Sequence, residues 1–422
     1  MAAVADTAYQ PVPAVAPDDS RAHAGTVVMK FGGTSVAGTE RLQGVARRLV
    51  EAREQGSRVV GVLSAMGDTT DELLDLAHAI SERPQPRELD MLISVGERIS
   101  CALAAMAIHD LGQEAISLTG SQAGIVTDTV HTKAKIVEVR AKRIHDALDA
   151  GRIVLVAGFQ GVSSESLDVT TLGRGGSDTT AVAIAAALGA DACEIYTDVE
   201  GVFTADPRIV PDARKLHAVS YDEMLEMSAS GAKVLQLRSV EFARNHKVRL
   251  HVRSTFSDAE GTWILEEDDR MLEKAIISGV VHTREEMVFR VTDIDAASLF
   301  AALAAAAVNV DTIVQTGNEI VFSAPTEDRT DVERALGALG VPWSSRDDLG
   351  KVSLIGAGMK SHPGIAAKTF ATLKENGIEP AVVSTSPIKI ACHVPVDDVE
   401  EAVKALHAAF ELDRPEAERA HA

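Results

Sequence analysis

The 422-residue sequence is poor in three things: aromatic residues, cysteines and positive charge. Aromatics make up 4%, so alanine, valine and leucine must do most of the packing. The cysteines, Cys101, Cys193 and Cys392, are odd in number and far apart. That excludes a disulfide framework and a zinc ligand set by spacing, and it fits a reducing, cytoplasmic setting. Lys+Arg 41 against Asp+Glu 62 leaves a net charge of −21, which argues against a nucleic-acid partner, because such binding rests on phosphate neutralisation. A polyphosphate site in such a chain must rely on a few local cations, helix N-termini and a metal. No apolar run reads as long enough to cross a bilayer, and the N-terminus lacks the basic and apolar regions of a signal peptide. A P-loop pattern is also missing. Gly356-Ala357-Gly358 is followed by Ser361 where a dinucleotide fingerprint needs glycine.

What is present is a 46% hydrophobic chain long enough for two to four domains. Residues 1–25, rich in Ala, Pro and Asp, read as a disordered tail. From Thr26 onward, strand-like runs alternate with helical ones. Val27–Phe31, Val59–Leu63, Ala115–Leu118, Ile153–Ala157 and Cys193–Thr197 are the strands, and several end in glycine turns. That rhythm predicts an α/β fold with a mostly parallel sheet between helix layers, and ligands then collect at the carboxyl ends of the strands. The segment 26–265 is taken as one domain. After about Trp263 a strand–helix–strand–strand–helix order occurs twice, read as two small domains over 274–345 and 350–415. The strand Ala275–Val281 is counted with the first unit by position, its membership of the second being left open.

The organising stretch is Thr170–Thr180, with Gly173, Arg174, Gly175, Gly176, Ser177 and Asp178 leading into an alanine-rich helix. Its glycines allow close backbone approach, the Ser177–Thr180 group reads as capping side chains, and Arg174 offers a planar fork for a carboxylate. Lys30 ends the first strand before Gly32 and Gly33, a turn able to wrap a phosphate. Asp178 is placed as a helix cap, as the group holding Lys30, or as both. Glu97 is a carboxylate among apolar helix residues. In Tyr196–Arg208, Phe203 offers a flat apolar surface, Arg208 suits phosphate, and Thr197 and Asp198 suit a sugar or base edge. Lys233 is a further cation.

Together VMKFGGTSV, VLSAMGDTTDEL, GERIS, GFQG, TTLGRGGSDTTA, YTDVEGVFTADPR and GAKVLQLRSVE, spread in order over residues 27–253, resemble the aspartate kinases of the amino-acid kinase family. The remainder resembles their paired ACT regulatory domains, each of βαββαβ type. The resemblance implies transfer of the ATP γ-phosphoryl to the side-chain carboxylate of L-aspartate, with Mg2+, at the start of lysine, threonine, methionine and diaminopimelate synthesis. It makes Lys30 the bridge to the phosphoryl oxygens and Asp178 its orienting partner. Phe31, Gly32 and Gly33 would line the phosphates with Thr34 and Ser35. Arg174 would clamp an aspartate carboxylate and Glu97 its ammonium, with Ser64, Thr70, Gly175, Gly176 and Ser177 completing that pocket. Thr197, Asp198, Phe203, Asp206, Arg208 and Lys233 would hold the nucleotide.

Asp293, Asp311, Gln315, Met359, Ser361 and His362 would form effector positions, and the family's ACT units pair between subunits, so a homodimer or larger assembly is expected. Two departures stand out. The family's Asp-Lys-Pro-Gly turn reads Asp293-Ile294-Asp295-Ala296 here, and Glu379-Pro380 replaces an Asn-Ile pair. Both imply weakened or altered feedback by lysine and threonine. Two rivals remain: a kinase of the same fold acting on glutamate, N-acetylglutamate or UMP, and a catalytically silent amino-acid sensor.

Overall fold

The computed structural model describes residues 25–266, 277–357, 359 and 362–414. The reading of residues 1–25 as disordered falls, apart from Gly25, outside these residues.

An eight-stranded sheet forms the first half, in the order Ala218–Ser220, Thr262–Leu265, Leu250–Ser254, Ala192–Thr197, Thr26–Phe31, Arg58–Leu63, Ile153–Ala157, Ala115–Leu118. Every pairing is parallel except that between Leu250–Ser254 and Thr262–Leu265. Both faces are covered, which is why Val59–Leu63 and Ile153–Ala157 are apolar without alternation. On one face, helices Thr39–Glu54 and Val95–Asp110 bring Leu42, Leu49 and Ile108 against Phe31, Val59 and Leu155. On the other, helix Gly176–Leu188 packs Val182 and Ile184 against Val28, Val60 and Val154. The three adjacent strands Thr26–Phe31, Arg58–Leu63 and Ile153–Ala157 end on one edge, where Gly32, Ser64 and Gly158 begin the connecting turns. A small four-stranded sheet, Ile136–Val139, Ile125–Thr127, Gln160–Ser163 and Val169–Thr171, carries the Gly-rich loop to that edge.

Taken together, Pro86–Asp110 is long and apolar enough by count to cross a bilayer, contrary to the sequence reading. Half of its apolar stretch lies inside the fold, and it carries the buried carboxylates Asp90 and Glu97. It is a core helix, interrupted at Ser94.

Two further four-stranded sheets follow. One holds Ile313–Thr316, Glu319–Pro325, Glu286–Thr292 and Trp343–Arg346, backed by helices Ala296–Ala305 and Arg329–Leu339. The other holds Gly279–Thr283, Leu349–Ile355, Lys389–Pro395 and Val382–Ser386, backed by Ile365–Glu375 and Val399–Ala409. The placement of the 275–281 strand in the first unit is therefore corrected. Gly279–Thr283 pairs antiparallel with Leu349–Ile355, so unit 286–346 is inserted after the first strand of its neighbour. The reason is tertiary: Val280 enters the same apolar core as Val352, Leu354 and Val403. The two sheets meet through Val288, Val321, Leu349 and Val382.

Candidate active site

Lys30 and Asp178 meet at 2.6 Å, with side chains only 12% and 8% exposed. One comes from the end of strand Thr26–Phe31, the other from the first turn of helix Gly176–Leu188. The buried Oδ1 of Asp178 has no donor in hydrogen-bond geometry, so this contact is an ion pair. A Cβ built on Gly32 would lie 3.4 Å from the Lys30 ammonium, which places that charge over the glycine turn. Gly33 is pressed against the carbonyls of Ala65 and Gly67, and its own carbonyl accepts from the Gly67 amide at 3.1 Å.

The helix beginning at Gly176 has Gly175, with φ +68, at its N-cap and no side-chain cap. The reading of residues 177–180 as caps is thus corrected. They lie inside the helix, and the Thr179 and Thr180 hydroxyls donate back to the Gly175 and Gly176 carbonyls. A cap without a side chain leaves first-turn N–H groups open to an anion. Side chains are excluded around this turn by contact: a Cβ on Gly175 would overlap Gln236, and one on Gly176 would press on Leu172 and Phe159.

Glu97 is 3% exposed. Its Oε1 accepts the Ala65 amide at 3.2 Å, while its buried Oε2 has no hydrogen-bond partner. Burial pushes its carboxyl up to about 7, although the amides of Glu97 and Ala65 and the charge of Arg98 pull the other way. A buried, unpartnered carboxylate oxygen is costly unless something cationic meets it. Ser64 follows strand Arg58–Leu63 and donates its amide to the Phe31 carbonyl at 3.1 Å. Thr70 is half-buried in the first turn of helix Thr69–Ile80. Ser177 lies so close to Gly158 that a Cβ there would meet its Oγ at 2.6 Å.

A cleft of about 620 Å³ is lined by Thr197, Asp198, Phe203, Asp206, Arg208 and Lys233, and also by Val280 and His282 of the regulatory strand. Its walls do not include Lys30 or Asp178. The two places are joined by the Gly32 amide, which donates to the carbonyl of Tyr196, the residue before Thr197. Asp206 and Arg208 pair at 2.7 Å, and that bond holds the Asp206 carboxyl below its usual range. Lys233 pairs with Glu285 at 2.7 Å, both well exposed. His282 is pushed down by burial.

One residue departs from its assignment. The Phe31 ring is fully buried, stacked on Tyr196 with centroids 4.7 Å apart, so it packs in the core instead of facing the cleft. Arg174 is 89% exposed and faces Glu327 of the first regulatory unit at 3.6 Å.

In the regulatory half, Asp293 is exposed, has φ +60 and accepts from Asn318. Gln315 is exposed on the edge strand Ile313–Thr316. Asp311 is paired within the chain, with Lys351 at 2.5 Å and Lys389 at 3.7 Å. Met359 is buried in the core of the second unit, so its thioether packs there and does not present an effector surface. His362 is exposed, and Ser361 lies outside the described residues.

Sequence reasoning missed the ionic cluster around Lys351. That lysine is fully buried between Glu286 and Asp311, with His393 at 3.3 Å from Glu286. Lys389 reaches Glu226 of the catalytic half at 2.9 Å. The available signal was a lysine within the largely apolar run Leu349–Ile355.

The amino acid kinase family profile matches residues 25–254, and an ACT domain profile matches 352–410. The chain is 53% identical to an aspartokinase of Mycolicibacterium smegmatis over 404 residues, covering 92% of this chain and 96% of that protein. It is 50% identical to an aspartokinase of Corynebacterium glutamicum over 404 residues, with the same coverage. Among solved structures, aspartate kinase from Synechocystis superposes with a TM-score of 0.76 at 30% identity, over 92% of this chain and 98% of that one. The fold is also that of E. coli aspartokinase III in complex with aspartate and ADP, at TM-score 0.81 and 24% identity, over 92% of this chain and all of the other. With this likeness spanning both the kinase sheet and the regulatory sheets, the chain belongs to the aspartokinases of the amino acid kinase family.

Proposed function

We propose the following division of labour for the aspartate kinase reaction, transfer of the ATP γ-phosphoryl to the side-chain carboxylate of L-aspartate, giving 4-phospho-L-aspartate and ADP. The acceptor carboxylate, with an ordinary pKa of about 3.9, is already ionised at neutral pH, so no general base is required. The protein must align two anions and neutralise the transferring group. Lys30 supplies the charge that bridges donor and acceptor oxygens. Asp178 holds it there, and the Gly33 amide and the first-turn amides that follow Gly176 complete an anion cradle. The Lys30–Asp178 pair at 2.6 Å beside that turn is the observation that carries the reading. Glu97 Oε2 receives the aspartate ammonium and Arg174 a carboxylate, with Ser64, Thr70 and Ser177 around them. ATP enters as its magnesium complex, the cation held by phosphate oxygens and water, with its nucleoside in the Phe203–Lys233 cleft. The test is aspartate-dependent ADP release with hydroxylamine trapping of the acyl phosphate. Lys30→Ala should keep aspartate binding and lose on the order of 10²–10³-fold in kcat. Retained turnover would sink the assignment.

Lysine and threonine feedback is weakened or altered in this reading. In the first unit, Asp295 caps helix Ala296–Ala305 itself, accepting from the Ser298 amide at 2.9 Å and its hydroxyl at 2.7 Å. An effector carboxylate must therefore compete with an internal one. Asp311 is likewise already met by two lysines. Strong concerted inhibition in a titration with both amino acids would overturn this. The exposed edge strand Ile313–Thr316 supports assembly into a homodimer through the regulatory sheets, and the three buried free cysteines fit a cytoplasmic enzyme.

A further inference from the structure

We infer that Asp90 is a positioning residue for aspartate recognition, holding the Arg174 loop in register with Glu97. Asp90 is fully buried and lies outside every motif noted above. It accepts the Thr171 hydroxyl at 2.5 Å, the Thr132 amide at 3.1 Å to both oxygens, and His131 Nδ1 at 2.7 Å. Thr171 ends the strand Val169–Thr171, three residues before Arg174. Thr132 has φ +65, a backbone setting that a branched residue avoids unless held. Its carbonyl lies beneath Gly173, where a Cβ would come within 3.0 Å. The Ala134 amide donates to the Thr171 carbonyl at 2.9 Å, closing the same junction. On the other side, the Arg238 guanidinium donates to the Leu172 and Ala134 carbonyls.

The root of the Arg174 loop is thus stapled twice, once by a buried carboxylate and once by a half-buried guanidinium. Asp90 differs from Arg238 in where it comes from. It belongs to helix Pro86–Ile93, which runs through Ser94 into the helix bearing Glu97. Asp90 and Glu97 are seven residues apart, on either side of Ser94. Ser94 between them is fixed by Gln160 Nε2, which donates to its carbonyl at 2.6 Å. Two consecutive helices joined at Ser94 therefore carry the group facing the substrate ammonium and the group anchoring the loop that faces a substrate carboxylate. An enclosed carboxylate that touches no cleft and satisfies three donors is suited to fixing geometry, and a shift of about 1 Å in such a support is costly to binding and rate.

This inference rests on the assignment of Glu97 and Arg174 to the aspartate pocket. It is tested by saturation kinetics for each substrate separately. Thr171→Val removes a single hydroxyl from the staple and leaves the buried charge in place. It should raise KM for aspartate about fivefold or more while KM for ATP stays within about twofold, and Thr171→Ser should restore the wild-type value. Asp90→Asn, which cannot accept from all three donors, should raise KM for aspartate further, about tenfold or more, with the same selectivity. A purely structural role would lower the melting temperature and the active fraction without separating the two KM values. Unchanged KM values in folded Thr171→Val, or equal shifts for both substrates, would overturn the inference and leave the kinase reading intact. An absence of aspartate-dependent ADP release in the wild type would instead remove the reading beneath it.

Discussion

The Glu97 carboxyl gives opposite expectations for activity and for stability. Burial raises it from 4.5 to about 7. At 1.36 kcal/mol per pH unit, its ionisation inside the fold costs roughly 3 kcal/mol. The aspartate ammonium is the partner that offsets this cost, so only the ionised enzyme binds aspartate well. In kcat/KM for aspartate, which reports free-enzyme ionisations, an acid limb near pH 7 is expected, with about a tenfold loss from about pH 8 to about pH 6. Glu97→Gln should lower the plateau and erase that limb. The same profile for ATP serves as the control, since a limb shared by both substrates belongs to the nucleotide. For stability the sign reverses. The folded pKa lies above the unfolded one, so the penalty is nearly absent below about pH 4.5, grows as pH rises toward 7, and is complete above it. Glu97→Gln should therefore melt higher than wild type at about pH 8, by up to the roughly 3 kcal/mol above, with little difference at about pH 4.5. A flat aspartate profile, or a limb that survives in Glu97→Gln at the same pH, refutes the argument.

Three other outcomes follow from named pairs. Glu285→Gln frees Lys233, and because both side chains are well exposed the gain is limited to about 1 kcal/mol, seen as a KM for ATP lowered by no more than about fivefold and less so in high salt. Lys351→Met leaves Glu286 and Asp311 facing each other without their shared cation, and urea unfolding of the full chain should show a loss of about 3–5 kcal/mol. Glu286 itself is opposed by burial, but His393 and Lys351 outweigh that and hold it at about 2. Its contribution is therefore full above the unfolded value of 4.5 and fades as pH falls toward 2, so acid unfolding followed by circular dichroism should begin at higher pH in Glu286→Gln.

Local pattern alone was enough for much of the kinase half. Apolar runs ending in glycine turns define the parallel strands and the edge where ligands gather, since strand length, burial on both faces and turn chemistry are short-range properties. Lys30, Gly32, Gly33 and the Gly173–Asp178 loop could be picked out for the same reason: each lies at a strand or helix end that its neighbours announce. What only the tertiary structure decided is everything that joins distant segments. Phe31 reads as a cleft residue until its ring is seen stacked on Tyr196 across the strand pair. The strand Gly279–Thr283 joins the second regulatory sheet because its partners lie some seventy residues later. Asp90, flanked by ordinary helix residues, gains its meaning from Thr132 and Thr171, and Lys351 from Glu286 and Asp311. A charge's role depends on what is close in space and how much water remains, and neither is encoded within a few residues of the charge itself.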